Sequence, residues 1–299
     1  MMLKILDLSH RLPGPYAAKR LAHLGFSVTR VEDIHHADPF LDQQLEKINP
    51  QFSSWHKKLS AEKKIVQLDL SHPDELTKLK ELVLSHNVII NSRGERFLNT
   101  IGVDENFCQS NKLLAINLKA SKHEPHLHDL NALAQSSLLN YHLIHFKNKN
   151  IAQNSPCYFP PPFLPIAGLA FGHGITENIL AHSIKNEFGI KHIYLDDEVK
   201  NSIAHLQYDD ALALHNGKFP SYGIYRLKSE KSFVAIALIE EKFWHQFITE
   251  TNLLLTLDDR FSTDEKVFKT MADFFSIHDQ KSLDKLFSKK LSCITVFEI

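Results

Sequence analysis

The sequence predicts an α/β chain: a Rossmann-like domain built on a parallel sheet, followed by a smaller α+β domain. Three observations predict it. Short apolar runs alternate with amphipathic helical stretches from Leu3 to Leu118, the pattern of a doubly wound sheet. The first of these runs forms a strand–turn–helix–strand unit around Pro13-Gly14-Pro15. After Asn216 the texture changes, and two strand-like runs flank the polar tetrad Lys228-Ser229-Glu230-Lys231 as a hairpin would.

Taken in order, Leu3–Leu8 reads as a buried strand, and a turn at Pro13-Gly14-Pro15 leads into a helix from about Tyr16 to Leu24. Ala17, Leu21 and Leu24 share one face of that helix, and Gly25 ends it. Ser27–Val31 is the second strand, parallel to the first across a right-handed crossover. Ile65–Leu70 is the next strand. Ser71 or His72 before Pro73, with Asp74 and Glu75 following, carries helix-start chemistry, because carboxylates are favourable at the positive end of the helix dipole. Strands at Val88–Ile90, Leu113–Leu118 and His192–Leu195 and helices over Leu130–Leu143 and Gly168–Lys185 complete residues 1–200. The polar then proline-rich connection Lys147–Pro162 contains an extended run, Phe159-Pro160-Pro161-Pro162. Residues 201–215 read as a linker. Residues 216–299 form the small domain, with strands Tyr222–Leu227 and Phe233–Leu238, three helices (Glu240–Glu250, Thr263–Phe275, Gln280–Lys289) and a last strand at Cys293–Phe297.

Composition narrows the function classes. With 299 residues, 43% of them hydrophobic, the chain can bury one sizeable core or two unequal ones. Lys+Arg 34 against Asp+Glu 35 leaves a net charge of -1, which argues against nucleic acid or an anionic membrane as partner. Cys108, Cys157 and Cys293 are scattered and read as reduced thiols of a cytoplasmic protein. Lys4 and Asp7 interrupt the N-terminal apolar run, so no signal peptide is expected, and no stretch reaches the roughly 18 apolar residues of a membrane span. The run His123-Glu124-Pro125-His126-Leu127-His128 invites a metal reading, but in a chain with 19 histidines such clustering arises by chance, and no metal is assigned.

Five segments carry a family resemblance: ILDLSHRLPGPYAAKRLAHLGFSVTRVE at 5–32, KKIVQLDL at 63–70, HDLN at 128–131, PIAGLAFG at 165–172 and NGKFPSYGIYRLKSEKSFVAIALIEEKFW at 216–244. In this order and spacing they resemble CoA-transferase family III, the CaiB/BaiF group, and most closely its α-methylacyl-CoA racemase branch. The resemblance implies an acyl-CoA thioester as substrate, no separate cofactor, and a dimer of interlocked rings. It also implies one of two chemistries. In the transferases an Asp attacks the thioester and forms an anhydride, then an aspartyl-CoA thioester. In the racemases a His and an Asp work on opposite sides of the α-carbon.

His128 matches the racemase His. The Asp used by both chemistries stands at the position of Gly168, and no carboxylate lies between Asn131 and Glu177. His173 is on the same helix, about 140° around it. Asp129 suits a helix N-terminus. Glu240 matches a Glu of the small domain that the racemases place near the active site. For CoA the resemblance implies Lys63 and Lys64 beside the adenine side of the site, with a solvated strand edge as the equal alternative, and Arg93 or Arg96 at the phosphates, standing in for an Arg whose position is Gly94. Where the family often has Arg-Pro after Glu32, this chain has Asp33-Ile34, which sets a negative charge where a phosphate would sit. The sequence ends directly after its last strand, without the family's C-terminal return to the large domain. The expectations are therefore weak CoA binding, impaired or lost family catalysis, and a homodimer looser than the threaded rings. Two alternatives stand beside them: an active isomerase or transferase using His128 and a second base, and a non-catalytic subunit paired with an active paralogue as a heterodimer.

Overall fold

The computed structural model describes residues 3–41, 47, 49–124, 127–147, 161–203, 215, 217–287 and 293–298. The chain divides into two units, Met1–His142 with Tyr158–Ala204 and Leu143–Cys157 with His205–Ile299.

The first unit holds a six-stranded, wholly parallel sheet. Its strands are β1 (Lys4–Leu8), β2 (Ser27–Asp33), β3 (Lys64–Leu68), β4 (Val88–Asn91), β5 (Leu114–Lys119) and β6 (Gly189–Tyr194), in the order β3-β2-β1-β4-β5-β6. Successive residues of β1 serve opposite faces, as the pleat requires. Ile5 packs with Val28, Ile90 and Ile116 under α1 (Pro13–His23) and α8 (Ile166–Lys185). Leu6 and Leu8 pack with Val31, Ile89 and Leu98 on the other face, beneath α3 (Pro73–Leu84), α4 (Glu95–Thr100) and α5 (Glu105–Ser110). Both faces are covered, which is why the strands read as nearly continuous apolar runs.

The structure corrects several boundaries. Helix α1 starts at Pro13 and includes the expected turn, because proline's fixed φ suits the first helical position. A Cβ at Gly14 would collide with the Ser9 side chain, so the close approach of this turn to the strand end requires glycine. Helix α2 (Gln51–Ser60) was not expected; its polar residues hide the pattern. The single helix expected over Leu130–Leu143 is two, α6 (Asp129–Gln135) and α7 (Leu138–Lys147), broken where Ser137 takes φ 63°. Helix α3 begins as its sequence implied: Nδ1 of His72 accepts from Asp74 N, and Pro73 occupies the first turn. Helix α9 (Leu195–Ile203) follows β6. Cys157, His126 and residues 159–160 of the expected extended run lie outside the described residues.

The second unit pairs β7 (Tyr222–Arg226) and β8 (Ser232–Ala237) as the expected hairpin, with β9 (Ile294–Glu298) antiparallel on the free edge of β8. Trp244, Phe247 and Phe275, from α10 (Glu241–Thr251) and α11 (Glu265–Ser276), are fully buried against this sheet, with Leu283 of α12 (Gln280–Leu286).

A buried ion cluster ties the carboxyl ends of β1 and β2 to the segments around them. Asp7 Oδ2 accepts from Lys63 Nζ at 2.9 Å and from Arg30 Nη1 at 3.3 Å. Arg30 also reaches Asp38 Oδ2 at 2.9 Å and Glu32 Oε1 at 3.4 Å. Lys63 Nζ donates a second bond to the Pro15 carbonyl at 2.8 Å, tying α1 to the entrance of β3. Burial alone would push the Asp7 carboxyl up; Lys63 and Arg30 outweigh it and hold the pKa at about 2.

Asp7 thus ionises more readily in the folded chain than in the unfolded one, so its stabilisation is present above the unfolded value of 3.8 and is lost as pH falls through about 2. Lys63→Met leaves Asp7 half-compensated and the Pro15 carbonyl without its donor. It should cost about 3–5 kcal/mol in urea denaturation at neutral pH, and the gap between variant and wild type should close as the pH approaches 2. An unchanged denaturation midpoint would refute this role for the cluster.

Candidate functional site

In the strand order β3-β2-β1-β4-β5-β6, the chain leaves β1 toward one side and reaches β4 on the other. A crevice is therefore expected outside the carboxyl ends of β1 and β4. A cleft of about 610 Å³ lies there. Its floor comes from the segments that follow the strands: His10 to Gly14 after β1, Ser92 after β4, and Lys119-Ala120 at the end of β5. The start of α6 supplies His128 and Asp129, and the start of α8 supplies Gly168 and Phe171. Phe40, Phe52 and Trp55 form an aromatic wall, with ring centroids 5.4 to 6.3 Å apart. The strand ends are themselves cross-linked, since the buried Asn91 donates to Asn117 Oδ1 at 2.9 Å.

The structure brings His128, Asp129 and Gly168 together in this cleft. His128 is exposed at the N-terminus of α6, where its backbone N–H donates to Asn131 Oδ1 at 3.1 Å. Asp129 points across to α8, and its Oδ1 accepts from Gly168 N at 2.6 Å. Helix α8 follows Pro165, which offers no side-chain cap, so the carboxylate of a neighbouring helix satisfies its first N–H groups. Burial raises the Asp129 pKa, and the hydrogen bonds from Gly168 and Ala167 work against that rise. A Cβ added at Gly168 would stand 3.1 Å from Leu12 Cδ2, which would have to give by a few tenths of an ångström, and in van der Waals contact with Asp129 Oδ1 at 3.5 Å.

His10 lies on the floor, kept neutral by burial and then by Arg93, with its pKa at about 4. As the neutral ring it accepts from Arg93 Nη2 at 2.9 Å. Arg93 also pairs with the buried Asp33 at 3.3 Å and lies over Phe97. Both Asp33 and Arg93 are thus committed to one another at the end of β2. Lys63 is committed to Asp7 inside the core. Lys64 is exposed on β3, and Arg96 is exposed on α4. Gly94 takes φ 86°, a backbone conformation that disfavours a side chain at that turn. Of the four cations expected at the CoA site, none lines the cleft; Arg11 and Lys119 do. Glu240 is exposed in the second unit, at the N-terminus of α10. His173 packs against α1, its Nε2 3.2 Å from the Tyr16 hydroxyl, and it does not line the cleft. Sequence reading missed the aromatic wall because α2 was missed; the spacing of Phe52 and Trp55, three residues apart, was the available signal. Among the described residues no three potential ligands stand together as a metal site, and no helix is long and apolar enough to cross a membrane.

Comparison with known proteins follows the same outline. Residues 2–112 match the family profile of CoA-transferase family III. A CaiB/baiF CoA-transferase family protein of Caenorhabditis elegans is 26% identical over 98% of this chain and 84% of its own length. Two crystal structures share the fold: Rv3272 from M. tuberculosis (TM-score 0.64, 14% identity, 99% of this chain and 80% of that one) and a CAIB/BAIF family protein from Brucella suis (TM-score 0.64, 14% identity, 99% and 82%).

The contact between Asp129 and Gly168 sets an expectation for restoring a carboxylate. Gly168→Asp places two carboxylates side by side and should lower the thermal unfolding midpoint, by an equivalent of about 1–3 kcal/mol. Adding Asp129→Asn should return part of that loss, giving a favourable coupling of about 0.5–3 kcal/mol in a double-mutant cycle. Strict additivity of the two changes would remove the argument.

Proposed function

Because the chain belongs to CoA-transferase family III, we propose that its cleft receives an acyl-CoA thioester and that the family's carboxylate-dependent catalysis is impaired or lost in it. The observation that carries this reading is Gly168. Its position corresponds to the Asp of the Ala-Asp motif, and its backbone N–H is already bonded to Asp129. Without a carboxylate directed at the thioester, the anhydride and the aspartyl-CoA intermediate cannot form. Asp129 is a poor replacement as nucleophile, because its Oδ1 accepts from the first N–H groups of α8 and withdrawing it would leave them without an acceptor.

The phosphate side supports weak binding. Asp33 and Arg93 neutralise each other, Lys63 serves Asp7, and the cations left at the cleft are Arg11 and Lys119, the latter 3.6 Å from Glu95. Losing one charge-assisted contact costs roughly 1.5–3 kcal/mol, so two losses weaken binding by about 100-fold or more. A non-catalytic role, alone or as the partner of an active paralogue, fits this loss.

A second reading has its own observation. His128 and Asp129 face one cleft, and burial keeps the Asp129 carboxyl above its ordinary range, as a proton-transfer group requires. In that reading the chain is an isomerase that moves the α-proton of the acyl group with these two side chains.

Solvent deuterium exchange with a 2-methylacyl-CoA separates the two. The first reading expects no inversion, and at most slow one-sided exchange that disappears in His128→Ala. Inversion at roughly 1 s⁻¹, within the ordinary enzyme range, and lost in Asp129→Asn, would establish the second reading instead. Calorimetry with acetyl-CoA should give a dissociation constant weaker than about 1 μM; a submicromolar value would contradict the weakened phosphate side.

A further inference from the structure

A second cleft, of about 710 Å³, lies beside the first. Its walls are apolar: Leu24 just after α1, Leu59 of α2, and Phe163, Leu164 and Leu169 around the start of α8. Leu12, Trp55 and Pro165 line both clefts, so the two are separated only by shared side chains. Several of these apolar groups face outward; Phe163 is 99% exposed and Leu164 55%.

Lys19 and Arg20 of α1 and Lys58 of α2 line the cleft together with His23, whose Nδ1 lies 3.8 Å from Glu62, and among the described residues no carboxylate lines it. Among the described residues Lys19, Arg20 and Lys58 form no ion pair, whereas most cations around the carboxyl ends of the strands are paired. Arg20 makes only a cation–π contact, 5.9 Å from the centroid of the Tyr16 ring. An apolar trough ending in unpaired cations complements a ligand that is apolar along its length and anionic at its end.

We propose that this second cleft is a subsite for the distal part of the acyl chain, and that the preferred ligands are acyl groups carrying a terminal carboxylate. The proposal rests on the acyl-thioester reading above. With the thioester in the first cleft beside His128, the chain passes Leu12, Trp55 and Pro165 and sets its far carboxylate among Lys19, Arg20 and Lys58.

Calorimetry on the full chain tests this with two probe pairs: decanoyl-CoA against the ω-carboxylated decanedioyl-CoA, and free decanoate against 1-decanol. The charged member of each pair should bind about tenfold more tightly or better, and the preference should shrink as salt is raised, because Arg20 and Lys58 are solvent-exposed and Lys19 is half-buried. In the Lys19→Gln/Arg20→Gln/Lys58→Gln variant both preferences should fall to about unity, with the thermal midpoint reporting that the fold is kept. Should the triple variant fail to fold, Arg20→Gln alone, at an exposed position, should lose part of the preference. A charge preference in the free-acid pair alone, with neither thioester bound, would keep the subsite and overturn the thioester reading. Thioesters that bind equally well with or without the ω-carboxylate, together with equal binding of decanoate and decanol, would overturn the subsite and keep that reading. A preference that survives the triple variant, or no binding of any probe, would overturn the proposal.

Discussion

The first unit depends on one buried charge. Asp7 sits at the carboxyl end of β1, one of the two central strands between which the strand order reverses, and it is wholly removed from water. An isolated carboxylate there would be prohibitively costly, so the fold must bring cations to it. Arg30 arrives on β2 and Lys63 at the start of β3, and each carries a further obligation. Arg30 holds Asp38 and Glu32, while Lys63 holds the Pro15 carbonyl of α1. The cluster therefore fixes the register of three neighbouring strand ends and the first turn of the helix that follows β1. Those are the elements on which the first cleft is built.

The same economy of charge explains the character of that cleft. Two cations expected at a CoA site are engaged inside the protein: Lys63 with Asp7, and Arg93 with Asp33 and His10. Near the reacting position the reverse applies. A carboxylate is present, but Asp129 is turned to the start of α8, and Gly168 provides the N–H it needs. His128 and a titratable carboxyl line the same cleft, and that carboxyl is directed at the start of α8. At the second cleft Lys19, Arg20 and Lys58 form no ion pair among the described residues.

The sequence by itself determined the class of the fold and most of its strands, because a parallel sheet covered on both faces needs apolar runs of fixed length, and Ile5 to Leu8 or Val88 to Ile90 have no other reading. It determined the hairpin of the small unit, and the start of α3 through His72 and Pro73. Through a resemblance that the comparisons bear out at the level of the family, it also pointed to His128 and Gly168, which the structure brings to one cleft. Tertiary structure alone decided the rest. Helix α2 was illegible because its stabilising contacts are the aromatic rings of Phe40, Phe52 and Trp55, not a strong local pattern. The break at Ser137 depends on a left-handed backbone angle that no turn residue announces. Asp129 read correctly as a residue suited to a helix start, yet the helix its carboxylate serves is α8, 39 residues away in sequence, and not its own. Lys63 looked like a surface cation beside a ligand until Asp7 and Pro15 were found around it. The common reason is physical. Periodicity and capping are local and are written in neighbouring residues, whereas the partner of a charge is chosen by which strand ends the folded sheet brings together.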